Sequence, residues 1–326
     1  MLKNAKEQFD KIFKNELSDK EVKEYLVELY TNGETAQEIA SAAQSMRDHL
    51  IPLNIDDNLK DKIIDNCGTG GDKSNSFNIS TTVSILLSAC GCIVAKHGNR
   101  SITSKSGSAD MLEALGINLN ISLDNQVKML EQTGFVFMFA QNHHPAMKHI
   151  MPIRKSIDHR TIFNILGPLT NPAGVQKQLL GVFSKDYILK IAQALLELGS
   201  KKAVVVSSED GMDEISISDI THCVEVSNGT TKEFIIDPKE YGFNIAPKED
   251  ILGGDALFNA NITKNILNGT TTDAKRDIVV LNTAVALYVD EKVSSIKEGV
   301  DMALETIING KAKEKLNQII KVSNEL

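Results

Sequence analysis

Tryptophan is absent from this chain of 326 residues, an absence too common to exclude any function, and cysteine (4) and proline (7) are scarce. Cys67, Cys90, Cys92 and Cys223 form no Cys-x-x-Cys unit, and Cys90 and Cys92 in apolar surroundings read as small buried hydrophobes. No apolar stretch is long enough to span a bilayer, and the charged amphipathic opening from Met1 to Glu7 lacks a signal peptide's apolar core. The expectation is a cytoplasmic protein without a membrane partner. A net charge of −8 argues against general nucleic-acid binding, so any local cluster of cations reads as an anion site in an acidic protein. Repeats and low-complexity tracts are lacking too. With 42% hydrophobic residues, the length suffices for two domains and a substantial core.

What is present concentrates between residues 63 and 110. Ile63-Ile64 leads into Asp65-Asn66-Cys67-Gly68-Thr69-Gly70-Gly71-Asp72. Glycine tolerates positive φ, so successive N–H groups of such a loop can turn inward and close on phosphate oxygens. Ser76-Phe77-Asn78-Ile79-Ser80-Thr81-Thr82 then enters the apolar run 83–89, which reads as a buried helix with a polar start. Strand, glycine loop and helix N-terminus together suit phosphate, because free N–H groups and the positive end of the dipole meet there. The loop lacks the Lys-Ser/Thr end of a Walker loop and the third glycine of a dinucleotide fingerprint. Asp72 beside phosphates makes sense if it holds a ribose hydroxyl or a water around a divalent metal. The plainer reading is a tight turn and an ordinary N-cap.

The second cluster, Lys96-His97-Gly98-Asn99-Arg100-Ser101-Ile102-Thr103-Ser104-Lys105-Ser106-Gly107-Ser108-Ala109-Asp110, follows the strand-like Cys92 to Ala95. It would lie at a strand's carboxyl end, where open α/β sheets collect ligands. Three cations among small hydroxyl donors suit a multiply anionic substrate.

These motifs closely resemble those of the anthranilate phosphoribosyltransferases. The resemblance extends over most of the chain, through His144-Pro145-Ala146-Met147, Pro152-Ile153-Arg154-Lys155, the run from Arg160 to Pro172, and Gly211-Met212-Asp213-Glu214. It implies transfer of a phosphoribosyl group from phosphoribosyl pyrophosphate to the amine of anthranilate, with Mg2+ as cofactor. It implies donor contacts at Gly68, Gly71, Asp72, Ser76, Asn78, Ile79, Ser80, Thr81, Lys96, Gly98, Asn99, Arg100, Ser101, Thr103, Ser104 and Ser108. Metal ligands would be Ser80, Asp213 and Glu214; anthranilate would meet Gly68, Asn99 and Arg154. A homodimer formed through a helical domain is implied as well.

The chemistry of the residues agrees. Mg2+ binds through one or two carboxylates plus phosphates and water, a role adjacent Asp213 and Glu214 suit, although such a pair also ends many solvated loops. A guanidinium at Arg154 could grip the anthranilate carboxylate with two parallel hydrogen bonds; standing alone it would read as a surface arginine. No nucleophile is needed when departing pyrophosphate leaves oxocarbenium character at the ribose, so positioning and charge neutralisation should dominate. His97 is the candidate for proton transfer, if any residue fills that role. Zinc is disfavoured, since His144 and His149 do not share a helical face cleanly and no nearby Cys pair completes a site.

Capping-box spacing at Ser18/Glu21 and Thr35/Glu38 predicts helices in the first sixty residues. From Ile63, β-rich runs at 63–64, 92–95, 135–139, 179–183 and 203–206 alternate with helical patterns. The fold expected is an α/β one: a small all-helical domain (1–62 and 144–172) and a larger α/β domain (63–143 and 173–326) with a central, mainly parallel sheet, of the nucleoside phosphorylase and phosphoribosyltransferase type. The second helical span comes from the resemblance, and the ligand cleft would lie between domains. Residues 251–326 read as amphipathic helix. Departures from the family pattern are Lys73 for glycine, Ser76 for threonine and Ile157-Asp158-His159 for a Leu-Gly pair. A nucleoside phosphorylase, with its Lys-His-Ser-Thr-Gly-Gly loop, and a more basic non-enzymatic relative that binds nucleic acid are the alternatives; Arg154, Asp213 and Glu214 weigh against both.

Overall fold

The computed structural model describes residues 5–100 and 105–326; Ser101, Thr103 and Ser104 lie outside them. Helices α1 (Ala5–Phe13), α2 (Asp19–Asn32) and α3 (Ala36–Asp48) open the chain. Both predicted capping boxes form: the Ser18 and Thr35 hydroxyls accept from the N–H groups of Glu21 and Glu38, whose carboxylates accept from the cap N–H groups at 2.9 Å. A short α4 (Asp57–Lys60) leads to β1 (Ile63–Asp65), α5 (Ile79–Ala89) and β2 (Ile93–Gly98). Next come α6 (Ser108–Ala114), α7 (Leu123–Thr133), β3 (Phe135–Phe139), α8 (Ala140–His143), α9 (Met147–Lys155) and α10 (Phe163–Leu166). Then β4 (Lys177–Gly181), α11 (Ile188–Glu197), β5 (Lys202–Ser208), β6 (Thr221–Ser227) and β7 (Thr230–Ile236) complete a sheet of order β3-β2-β1-β4-β5-β6-β7.

Strands β1 to β5 pair in parallel, whereas β6 and β7 pair antiparallel; these last two were not read from the sequence. Strand alternation sends successive side chains to opposite faces. Ile64, Val94, Val204 and Val206 join the core beneath α5 and the C-terminal helices. Ala203, Val205 and Leu180 face the other way, into a core shared with α1–α3, α9 and α11. Ile63 and Ala95 face a third, smaller cluster under Leu53 and Val175. Residues Ile150 to Leu169 thus pack with the N-terminal helices, and the connecting passes run side by side, Leu53 N–H donating to Pro172 O at 3.0 Å.

Four helices, α12 (Ala256–Leu267), α13 (Ala274–Val289), α14 (Ile296–Ile308) and α15 (Lys311–Glu325), close the chain. Uniform amphipathicity was the expectation, and α13 departs from it. From Ile278 to Leu287 every residue is buried, because α13 packs against α5, β4 and α14 together. No helix among the described residues is long and apolar enough to cross a membrane.

Candidate active site

β1 is flanked by β2 on one side and β4 on the other, so the strand order changes direction where the glycine loop leaves β1. A crevice opens at such a switch point. Three strand ends contribute to it: the loop after β1, β2 itself, and the loop after β5 that carries Asp213 and Glu214.

The glycine loop is fastened from several sides. Thr69 N–H donates to Gly181 O at 2.9 Å, Phe183 N–H to Thr69 Oγ1 at 3.2 Å, and Gly70 N–H to Asp213 Oδ2 at 2.6 Å. Gly70 and Gly71 have φ of +68° and +77°, values an L side chain resists. A Cβ on Gly68 would stand 2.6 Å from Asp213 Oδ2, and one on Gly181 would stand 1.6 Å from Asp213 O. Both glycines are therefore required for the Asp213 loop to lie against β1 and β4. Lys73 also has positive φ, +61°, which gives the physical reason glycine is usual there.

Asp213 is buried, and burial together with the Asp72 carboxylate pushes its pKa up. Glu214 is raised well above the ordinary range by burial and by Asp213, while the Ser80 N–H, in the first turn of α5, donates to its carboxylate. Lys96, 1% exposed, donates to Ser80 Oγ at 3.2 Å and to Asn66 O at 3.4 Å. Ser80 thus links the buried ammonium to the acid pair. Asp65, buried beneath, is pushed up to about 6 by burial despite Lys96 and an Asn171 Nδ2 bond of 2.7 Å.

Among the described residues, no three His, Cys, Asp or Glu side chains converge closely enough to hold a metal ion alone. The donor set still suits a hard cation. Asp72, Asp213 and Glu214 crowd negative charge that a divalent ion would relieve, and Mg2+ commonly completes its shell with phosphate oxygens and water.

Lys96 and His97 are adjacent yet separate, as strand alternation requires. Lys96 shares the face of Val94 and meets α5; His97 shares the face of Ala95 and meets residues 144–167. His97 Nδ1 lies 3.0 Å from Gly167 O; a carbonyl only accepts, so Nδ1 carries the proton and Nε2 is a lone-pair acceptor with no partner among the described residues. Burial, then the nearby His144 ring at 5.1 Å, lowers the His97 pKa to about 3.

The other predicted site residues fall as follows. Asn78 precedes α5 without capping it through its side chain; its Oδ1 accepts from Asn259 Nδ2 at 2.9 Å and its Nδ2 donates to Ser106 O. Ile79 and Thr81 are buried in the first turn, and the Thr81 Oγ1 has no partner among the described residues. Ser76, half-buried, accepts from the Ser74 hydroxyl at 3.1 Å. Gly98 lies against Phe137 and Ser108, which begins α6. Asn99 is exposed, its Oδ1 taken by Arg100 N–H. The Arg100 guanidinium is engaged by carboxylates on α6: it holds Glu113 through two bonds of 2.6 Å and Asp110 at 2.8 Å. Arg154, half-buried on α9, has no carboxylate partner among the described residues; its guanidinium lies 5.5 Å from the Phe163 ring centroid. Burial lowers its pKa.

Three supporting residues escaped the sequence reading. Asn282, inside α13, accepts from Ile215 N–H at 3.0 Å and donates to Ile215 O at 2.7 Å, fixing the chain after Glu214. Its only signal is an amide within an apolar run. Asn259 and Gly181 have none.

Comparison with known proteins accords with this geometry. Residues 60–313 match the α/β domain of a glycosyl transferase family, and residues 3–50 match that family's helical bundle domain. An anthranilate phosphoribosyltransferase of Methanobrevibacter smithii is 46% identical over 324 residues, 98% of this chain and 95% of that protein. The crystal structure of the Thermus thermophilus anthranilate phosphoribosyltransferase superposes with a TM-score of 0.92 at 37% identity, covering 98% of this chain and 94% of that one. The Saccharomyces cerevisiae enzyme in complex with PRPP and Mg superposes with a TM-score of 0.86 at 30% identity, covering 94% and 86%. With identity at this level along nearly its whole length, the chain belongs to the anthranilate phosphoribosyltransferase family.

Proposed function

We propose that this chain transfers the phosphoribosyl group of 5-phosphoribosyl 1-pyrophosphate to the amine of anthranilate, giving N-(5-phosphoribosyl)anthranilate and pyrophosphate, in tryptophan biosynthesis. The observation that carries the reading is the convergence of the glycine loop, the first turn of α5, buried Lys96 and the Asp213-Glu214 pair at one switch point.

The anionic donor binds where the loop N–H groups and the helix start offer donors, with Lys96 as the buried positive charge. Asp213, Glu214 and Ser80 would hold Mg2+, which when bound supplies neutralising charge for the pyrophosphate leaving group. Arg154, free of any carboxylate partner among the described residues, grips the anthranilate carboxylate and aims its amine. An aniline-type amine is uncharged at neutral pH and loses its proton only after the new C–N bond has begun to form. The neutral His97 keeps its lone pair on Nε2, but that atom is buried and, with a pKa near 3, the ring is a weak base.

Residues 1–62 and 144–172 are read as one helical domain, and 63–143 and 173–326 as the donor-binding domain; the shared packing of Ile150 to Leu169 with α1–α3 supports this division. A homodimer in the cytoplasm is the expected state, resting on the family resemblance, and gel filtration with light scattering checks the dimer.

The test follows the loss of anthranilate fluorescence on mixing protein, phosphoribosyl pyrophosphate and Mg2+, with Arg154→Ala and the double variant Asp213→Asn/Glu214→Gln alongside. Loss that needs Mg2+ and is weakened in both variants is expected. Unchanged anthranilate with the donor still bound would move the acceptor to another ring compound.

A further inference from the structure

We propose that Arg160 is a positioning residue for the phosphoribosyl donor: it fixes the direction of the peptide between Gly71 and Asp72 in the glycine loop. This deepens the donor reading above and rests on it. The Arg160 guanidinium lies over the Phe183 ring, its central carbon 3.7 Å from the ring centroid, and Nη2 donates to Gly71 O. No carboxylate among the described residues pairs with it. Its backbone is tethered as well, since the neighbouring His159 ring stacks on Tyr30 of α2 at 3.8 Å and 17°. Phe183, the stacking platform, holds the same loop through its N–H to Thr69 Oγ1 at 3.2 Å. Arg160 and Phe183 thus act as one clamp reaching the loop at Thr69 and Gly71.

Such a loop needs that clamp. Gly70 and Gly71 lack the Cβ that would restrict their peptides, so these planes can rotate at little steric cost. A trans peptide is planar, with the carbonyl and the following N–H pointing in opposite directions. Holding the Gly71 carbonyl toward Arg160 therefore aims the Asp72 N–H to the other side of the peptide, away from Arg160. A rotated peptide would present a partially negative oxygen to an anionic donor, which repels it. The planar guanidinium suits the task because it stacks and donates at the same time; an ammonium keeps the charge but loses the planar stack.

The experiment compares the full-length protein with Arg160→Ala, Arg160→Lys and Phe183→Leu. Calorimetric binding of phosphoribosyl pyrophosphate with Mg2+, both KM values, kcat and the thermal midpoint are recorded. For Arg160→Ala, donor affinity should weaken about tenfold, the scale of one charge-assisted hydrogen bond, and the donor KM should rise to match. Anthranilate KM, kcat and the thermal midpoint should hardly move. Arg160→Lys should recover part of the affinity, and Phe183→Leu should lose less than Arg160→Ala. Unchanged donor affinity in Arg160→Ala overturns the proposal, as does a parallel fall of affinity, kcat and thermal midpoint, which marks a merely structural role. If the wild type binds the donor yet consumes no anthranilate, the function reading fails while the affinity ratio still decides the role of Arg160. A wild type that does not bind the donor overturns both.

Discussion

The two polar loops at the sheet edge look alike in sequence and are built in opposite ways. The glycine loop carries little charge of its own and takes its shape from distant segments: Gly181, Phe183, Asp213 and Arg160. The second segment carries cations: Arg100 closes on Asp110 and Glu113 of the following helix, while Lys96, still on β2, goes inward with no carboxylate in ion-pair contact among the described residues. A cation's availability to a substrate depends on which carboxylates the fold places near it. Lys96 and Arg100 differ in that respect, although only three residues separate them.

The largest expected effect tests that contrast directly. Lys96→Met should lower kcat/KM for the donor by about a thousandfold, as loss of a buried charge that stabilises a leaving group does, whereas Arg100→Met should change it by less than about threefold. Equal losses in steady-state assays would break the distinction. Arg154→Ala should raise the anthranilate KM by about thirtyfold, near 2 kcal/mol, with the donor KM unmoved, because the lost bidentate grip concerns only the acceptor. Asn282→Leu should destabilise the protein by about 2 kcal/mol in denaturant titration, by stranding the Ile215 N–H and carbonyl.

The pH response sharpens the comparison between the two faces of β2. His97 and His144 have pKa values depressed to about 3 and about 4, both chiefly by burial. Their neutral forms contribute stability above the unfolded value of about 6.5, and it is lost as pH falls toward the folded values. Asp65, raised to about 6, works the other way, its contribution fading as pH rises through that value. The thermal midpoint of His144→Gln should therefore fall less than that of the wild type between pH 7 and pH 5. The smallest effect belongs to Lys73→Gly: relief of the left-handed strain is offset by the greater freedom of glycine in the unfolded chain, leaving a change within about 1 kcal/mol.

Much of this was legible in the sequence because it is local. The capping boxes at Ser18 and Thr35, the glycine loop and the parallel strands all rest on short-range patterns, and the structure has them. β6 and β7 were not legible because both faces of β6 are partly buried, Cys223 on one and Val224 on the other, which breaks strict alternation, while His222 and Glu225 dilute the apolar signal. The amphipathic pattern expected over 251–326 fails at α13, whose polar Asn282 and Thr283 are both buried, each satisfied by main-chain partners. The direction of Arg100 depended on α6 folding back beside it. The roles of Gly181 and Asn259 depend on segments brought together only by the fold.

The most direct measurement is the stoichiometry of the reaction, with pyrophosphate release and anthranilate consumption followed in the same vessel with Mg2+ present. One pyrophosphate released per anthranilate consumed, with both halted in Asp213→Asn/Glu214→Gln, is the predicted result. Pyrophosphate released while anthranilate stays untouched would contradict the account, because the donor would then be transferring its ribose to something else.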